Sequence, residues 1–210
     1  MKVLVSDFDK TFFDDNYLNN IDIVNRFVKN GNMFIIATGR SFDRLSEVIK
    51  DSNIMYSYLI CNDGMNIYDD TNNNIFSCSI NKETLKSVYR LLESEKNIIE
   101  ILLESNKDEY SSQISLIAGK FVNRDVASKL VEKINEQFDD VYAYLSEYHV
   151  NIRKKGASKA TAINFLIDNY NLNKEDIYTI GDAVNDSDMC REFKSFSFDD
   201  AEQSVKDVIA

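Results

Sequence analysis

Short apolar runs, each closing on a small polar cluster, constrain the fold of this chain more than any other feature. Val3-Leu4-Val5 ends at Ser6-Asp7, Phe34-Ile35-Ile36-Ala37 ends at Thr38-Gly39-Arg40, and Tyr58-Leu59-Ile60-Cys61 ends at Asn62-Asp63-Gly64. Such runs, too short for a helix and rich in β-branched residues, read as strands buried on both faces. Amphipathic stretches separate them. Asn20 to Asn30 carries Ile21, Val24, Phe27 and Val28 at helical spacing, with Gly31 as its C-terminal cap. Ser41 is placed to cap a helix that has Leu45, Val48 and Ile49 on one side. Strand, helix, strand, helix, strand predicts a parallel sheet with right-handed crossovers.

The pattern then changes. Asn66–Asp69 and Ile75–Ser79 read as a hairpin around the polar stretch 70–74. A helix is expected over Lys82–Glu93, then strands over Ile98–Leu103 and Gln113–Ala118. The same order returns with a helix over Arg124–Phe138 and strands over Val141–Leu145 and His149–Arg153. Short strand-to-strand spacing favours antiparallel pairing, so this middle portion is an α+β insert. The earlier pattern resumes with a helix over Ala157–Tyr170, a strand over Ile177–Ile180, a helix entered through Asp182–Cys190, a strand over Phe196–Phe198 and a helix over Glu202–Ile209. The predicted organisation is an α/β, Rossmann-like core from residues 1–80 and 154–210 with residues 81–153 inserted.

Composition narrows the class. The 210 residues are 44% hydrophobic and 28% charged, ordinary for a globular chain that buries its core without disulfides. A formal charge of −11 argues against nucleic acid, whose affinity comes from Lys and Arg against phosphates. It leaves room for a small phosphorylated partner if a cation screens the site. Cys61, Cys78 and Cys190 are widely spaced and form no ligand pattern, which reads as reduced thiols in a cytoplasmic protein. The N-terminus meets charge too early for a signal-peptide core, and no apolar run approaches the length of a membrane helix.

Ligands of open parallel sheets bind outside the carboxyl ends of the strands. There this chain gathers Asp7-Phe8-Asp9-Lys10-Thr11, Thr38-Gly39-Arg40 and Gly181-Asp182-Ala183-Val184-Asn185-Asp186, with Lys159 at the start of the preceding helix. Two carboxylates about 4 Å apart repel by roughly 4 kcal/mol at a surface-like dielectric. Asp7, Asp9, Asp182 and Asp186 together therefore call for a cation, and Mg²⁺ suits carboxylates combined with phosphate and water.

Asp7-Phe8-Asp9-Lys10-Thr11 resembles the first motif, DxDGT, of the haloacid dehalogenase superfamily. Gly181-Asp182-x-x-Asn185-Asp186-x-x-Met189 is similar to the fourth motif of its Cof-like, type IIB branch. Thr38 fits the second motif and Lys159, in Gly156-Ala157-Ser158-Lys159, the third. The four occur in the family's order, and the insert resembles a small type IIB cap. This resemblance implies an Mg²⁺-dependent phosphatase that acts on a small phosphorylated metabolite, such as a sugar phosphate, phosphoglycolate or a cofactor phosphate. It implies Asp7 as nucleophile, and Asp9 as the acid that protonates the leaving oxygen and then activates water. It implies Thr38, Gly39, Lys159 and Asn185 around the phosphoryl group. For the metal it implies Asp7, Asp9 (through its backbone carbonyl), Asp182 and Asp186.

Lys10 and Ala183 stand where the family usually has Gly. Asp186 reads equally as part of the metal shell or as a helix N-terminal charge, and Arg40 as a substrate contact or the partner of an acid. His149, the only histidine, is expected to be structural. A phosphomannomutase-like phosphotransferase and a receiver-like phospho-Asp signalling module share parts of this constellation. The latter carries its acceptor on the third strand, whereas Asp7 ends the first. Oligomeric state is left open.

Overall fold

The computed structural model describes residues 1–105 and 114–209. They divide into two compact units, Met1–Phe76 with Ser158–Ala210, and Ser77–Ala157. The sequence reading put the junctions at 80/81 and 153/154; they run at 76/77 and 157/158, so the last residue of the hairpin and the turn before Ser158 go with the second unit.

The first unit is built on a sheet whose described strands are β1 (Val3–Asp7), β2 (Met33–Ala37), β3 (Tyr58–Cys61), β4 (Asn66–Asp69), β5 (Asn74–Ser77), β10 (Ile177–Ile180) and β11 (Lys194–Phe196). Their order is β11-β10-β1-β2-β3-β4-β5. From β11 to β3 the pairs are parallel, and β3 with β4 is antiparallel. The chain runs outward from β1 to β3 and then returns to β10 on the other side of β1. That reversal of winding opens a crevice at the carboxyl ends of β1 and β10. In register, Asp7 lies beside Ala37 and Ser6 beside Ile180, which brings the segments after β1, β2 and β10 to one edge.

Helices α1 (Tyr17–Lys29), α2 (Phe42–Ile49), α5 (Lys159–Tyr170), α6 (Ser187–Glu192) and α7 (Gln203–Ile209) accompany this sheet. Two cores form, as expected of a sheet buried on both faces. Val3, Val5, Ile35, Ile60, Ile67, Ile163, Leu166 and Val205 make one, and Phe8, Phe34, Ile36, Leu45, Leu59 and Cys61 belong to the other. Alternation along β2 assigns Ile35 to one side and Phe34 and Ile36 to the other. Each such side chain contributes about 1.5–3 kcal/mol on burial.

Several boundaries differ from the sequence reading, each for a local reason. α1 starts at Tyr17, where aromatic contacts with Phe8, Phe12 and Phe13 hold its first turn. Ser41 occupies the N-cap position of α2 with extended backbone, but its side chain makes no capping hydrogen bond. α5 begins at Lys159 because Ser158 caps it, accepting from Thr161 N–H while Thr161 reciprocates. The last strand lies at Lys194–Phe196, two residues earlier than expected.

In the second unit, α3 (Lys82–Glu93), α4 (Arg124–Gln137) and strands β6 (Ile98–Ser105), β7 (Ile114–Phe121), β8 (Val141–Ser146) and β9 (His149–Lys154) form an α+β layer. The strands are antiparallel in the order β6-β7-β9-β8. Val88, Leu92, Leu130 and Ile134 of the helices pack on Ile117, Phe121, Val150 and Ile152. Of the expected strand Gln113–Ala118, Gln113 lies outside the described residues.

Gly64 couples the third strand's loop to α5. At φ +92°, a Cβ there would fall 2.1 Å from the Ser158 carbonyl oxygen. Replacing it with Ala combines a left-handed strain of about 1–3 kcal/mol with a backbone clash. Gly64→Ala is expected to lower the melting temperature by at least the equivalent of about 2 kcal/mol, read by thermal denaturation.

Candidate active site

The site grows from the ends of β1, β2, β3 and β10. Asp7 closes β1 and is buried. Lys159, the first residue of α5, is fully buried, and its Nζ donates to Asp7 Oδ1 at 2.5 Å and to Asp186 Oδ1 at 2.6 Å. Burial pulls an ammonium down, but the carboxylates of Asp186, Asp7 and Asp63 outweigh it and hold Lys159 protonated. Burial and the Asp186 charge push the Asp7 carboxyl well above the usual carboxylate range, and Lys159 opposes them. Burial likewise pushes Asp186 up against the pull of Lys159.

Asp186 also organises the loop after β10. Its Oδ2 accepts from the N–H groups of Asp182 and Ala183 at 3.2 and 3.1 Å. The loop can close this tightly because position 181 is Gly: a Cβ there would lie 2.5 Å from Asp186 Cβ. Asp182 turns its Oδ1 to the Thr11 hydroxyl, which donates at 2.8 Å. One carboxylate oxygen from each of Asp7, Asp182 and Asp186 lies within 4.8 Å of the other two. These are hard oxygen donors around one small volume, and Lys159 supplies a single positive charge against three negative ones. The donor set and the charge deficit both fit a small divalent cation.

Asp9 is placed differently from the other acids. Its side chain is half-exposed, stands outside the three-carboxylate group and accepts two hydrogen bonds from Arg40, from Nε at 2.9 Å and Nη2 at 2.5 Å. Of the two readings of Arg40, the structure shows the acid's partner. The loop carrying Asp9 is held by Phe12 and Phe13 N–H groups donating to the Phe8 carbonyl. Lys10, at the position where the first motif usually has Gly, adopts φ +63°. The left-handed turn is thus kept with a side chain that only tolerates it.

Thr38 and Gly39 lie where β2 ends. Thr38 is fully buried, and its hydroxyl oxygen accepts from Arg40 N–H at 3.1 Å. A Cβ on Gly39 would sit 3.4 Å from Asp63 Oδ1. Asn185 donates to that same oxygen at 2.8 Å.

Sequence reasoning passed over Asp63 and Thr11. Asp63 is buried, lies at φ +53° and ψ +40°, and faces Gly39, Asn185 and the charge of Lys159. Its signal was present, since Asn62-Asp63-Gly64 ends a parallel strand at the same edge as the recognised motifs. Thr11 carried only its place in the first motif. His149 lies in β9, in the second unit.

Lys159 is the electrostatic centre of this arrangement. Lys159→Met keeps the apolar stem and removes the charge, leaving Asp7 and Asp186 buried without their partner. It is expected to cost about 3–5 kcal/mol, measured by chemical denaturation against the parent protein.

Comparison with known proteins accords with this geometry. Residues 1–198 match the sequence model of the sucrose-6F-phosphate phosphohydrolase family. A protein of Buchnera aphidicola subsp. Baizongia pistaciae, named "Putative phosphatase", is 26% identical over 220 residues, covering 89% of this chain and 82% of its own. A haloacid dehalogenase-like hydrolase from B. subtilis superposes with a TM-score of 0.87 at 16% identity, over 99% of this chain and 93% of that one. A phosphatase of the same superfamily from Bacteroides thetaiotaomicron gives a TM-score of 0.81 at 19% identity, over 99% and 87%. The chain shares its fold with haloacid dehalogenase-like hydrolases and belongs to the sucrose-6F-phosphate phosphohydrolase family, a family of phosphatases.

Proposed function

We propose that this protein is an Mg²⁺-dependent phosphomonoesterase that hydrolyses a small phosphorylated metabolite through a phosphorylated Asp7. The observation that carries the reading is the meeting of Asp7, Asp182 and Asp186 oxygens within 4.8 Å of one another, with a buried ammonium against two of these acids. Asp7 and Asp182 would hold the ion together with the Asp9 backbone carbonyl, and Asp186, engaged on both oxygens, would fix the loop and Lys159 beneath them. When bound, Mg²⁺ supplies positive charge beside the phosphoryl oxygens.

In the first half-reaction an Asp7 oxygen bonds to phosphorus as the bond to the leaving oxygen breaks. The leaving oxygen takes a proton from Asp9 and departs as an alcohol. In the second, water bonds to phosphorus, gives its proton to Asp9, and the bond from phosphorus to Asp7 breaks. Inorganic phosphate leaves and both carboxyl groups return to their starting states. Thr38, whose oxygen already accepts the Arg40 N–H, donates its own O–H to a phosphoryl oxygen. Lys159 offsets charge on Asp7 and on the phosphoryl group, and Asn185 is aimed by Asp63. Most of the acceleration comes from positioning and charge stabilisation.

The second unit is read as a cap of the type IIB kind, by its likeness to such inserts. A sugar phosphate is favoured as substrate by the family match. A cytoplasmic setting is supported by three cysteines outside any disulfide, of which buried Cys61 and Cys190 have their thiols pushed up, Cys190 to about 11. No described helix is long and apolar enough to cross a membrane.

Release of inorganic phosphate from p-nitrophenyl phosphate is expected with Mg²⁺, to be lost with excess EDTA and restored by added Mg²⁺. Asp7→Asn is expected to remove turnover. Full activity in that variant, or in the chelated protein, would refute the reading. A panel of phosphorylated sugars and small acids compared by kcat/KM would then identify the substrate.

A further inference from the structure

The contact between Asp9 and Arg40 is more elaborate than a surface ion pair. Arg40 meets Asp9 with two hydrogen bonds, one to each carboxylate oxygen, the fork pairing that fixes a carboxylate's orientation as well as its distance. The guanidinium is itself held. Its carbon lies 5.3 Å from the Phe8 ring centroid and 5.9 Å from that of Phe13, and these two rings stack at 5.3 Å with planes 6° apart. The Arg40 backbone is tied on both sides, its N–H to Thr38 Oγ1 and its carbonyl to the Asn62 N–H. Arg40 is therefore fixed by the ends of β2 and β3, and Asp9 is fixed by Arg40.

Asp9 is only two residues from Asp7, and a dication at the three-carboxylate group would attract its side chain too. In the structure that side chain is instead engaged by Arg40, while Asp7, Asp182 and Asp186 converge without it. We propose that Arg40 is a positioning residue which holds the Asp9 carboxylate off the metal cluster and keeps it aimed for proton transfer to the leaving oxygen. This rests on the phosphatase reading above. An ammonium cannot replace the guanidinium, because it lacks the planar fork.

Two measurements test this on the full chain. The first is calorimetric titration of Mg²⁺ into the substrate-free protein. Arg40→Ala is expected to tighten Mg²⁺ binding several-fold as Asp9 turns to the ion. The same change made on an Asp9→Asn background is expected to leave the affinity unaltered.

The second compares p-nitrophenyl phosphate, whose leaving group departs without a proton, with an alkyl phosphate, whose leaving group needs one. Arg40→Ala is expected to lower kcat for the alkyl ester about 10–100-fold more than for the nitrophenyl ester, with KM little changed, because misplacing a proton donor by about 1 Å costs on this scale. Arg40→Lys, which keeps the charge and the aliphatic stem, is expected to melt with the parent and still show the leaving-group effect.

Unchanged Mg²⁺ affinity in Arg40→Ala would overturn the proposal. So would an equal loss on both esters, or a loss confined to KM, which would make Arg40 a substrate contact. If Asp7→Asn kept its turnover, the phosphatase reading would fail, while the Mg²⁺ titrations would still report on whether Arg40 restrains Asp9.

Discussion

A buried ammonium holds the acidic edge of this protein's sheet together. Lys159 is fully buried and bridges Asp7, at the end of the first strand, to Asp186, beyond the end of β10. A lone charge at such depth would be driven to its neutral form, and so would either carboxylate. Together they hold three segments far apart in the chain at one point. The capped start of α5, the Gly64 contact beneath it and the Asp186 loop all serve to present that lysine.

The pairing is incomplete by design of charge. Asp182 joins Asp7 and Asp186, and Asp63 lies against the same lysine's field, so the acids outnumber the cation they surround. That imbalance couples the fold to the chemistry. In the proposed mechanism the edge becomes receptive to a phosphate dianion when a dication fills the remaining need, and the same ion would lower the repulsion between the acids.

The acids separate into two kinds by their partners rather than by residue type. Asp7 and Asp186 are buried against an ammonium, whereas Asp9 is half-exposed and gripped by a guanidinium resting on two stacked rings. An ammonium is a point charge that several carboxylates can share. A guanidinium fork takes one carboxylate in one orientation. In the proposed mechanism that difference suits one acid to attack on phosphorus and the other to movement of a proton.

Much of this was legible in the residues alone. Apolar runs ending in polar clusters specified a parallel sheet, because a strand buried on both faces has no other use for such a run. The recognised motifs marked Asp7, Asp182, Asp186 and Lys159, which the fold does bring together. Tertiary structure alone decided what each side chain does there. That Arg40 meets Asp9, that Asp186 meets Lys159 and that Asp63 meets Asn185 depends on partners 27 to 122 residues away. No local pattern encodes them, since a side chain's hydrogen bonds are set by which distant segments the sheet order makes neighbours. The left-handed turn at Lys10 shows the same limit, because the fold imposes a backbone conformation that the residue itself does not favour.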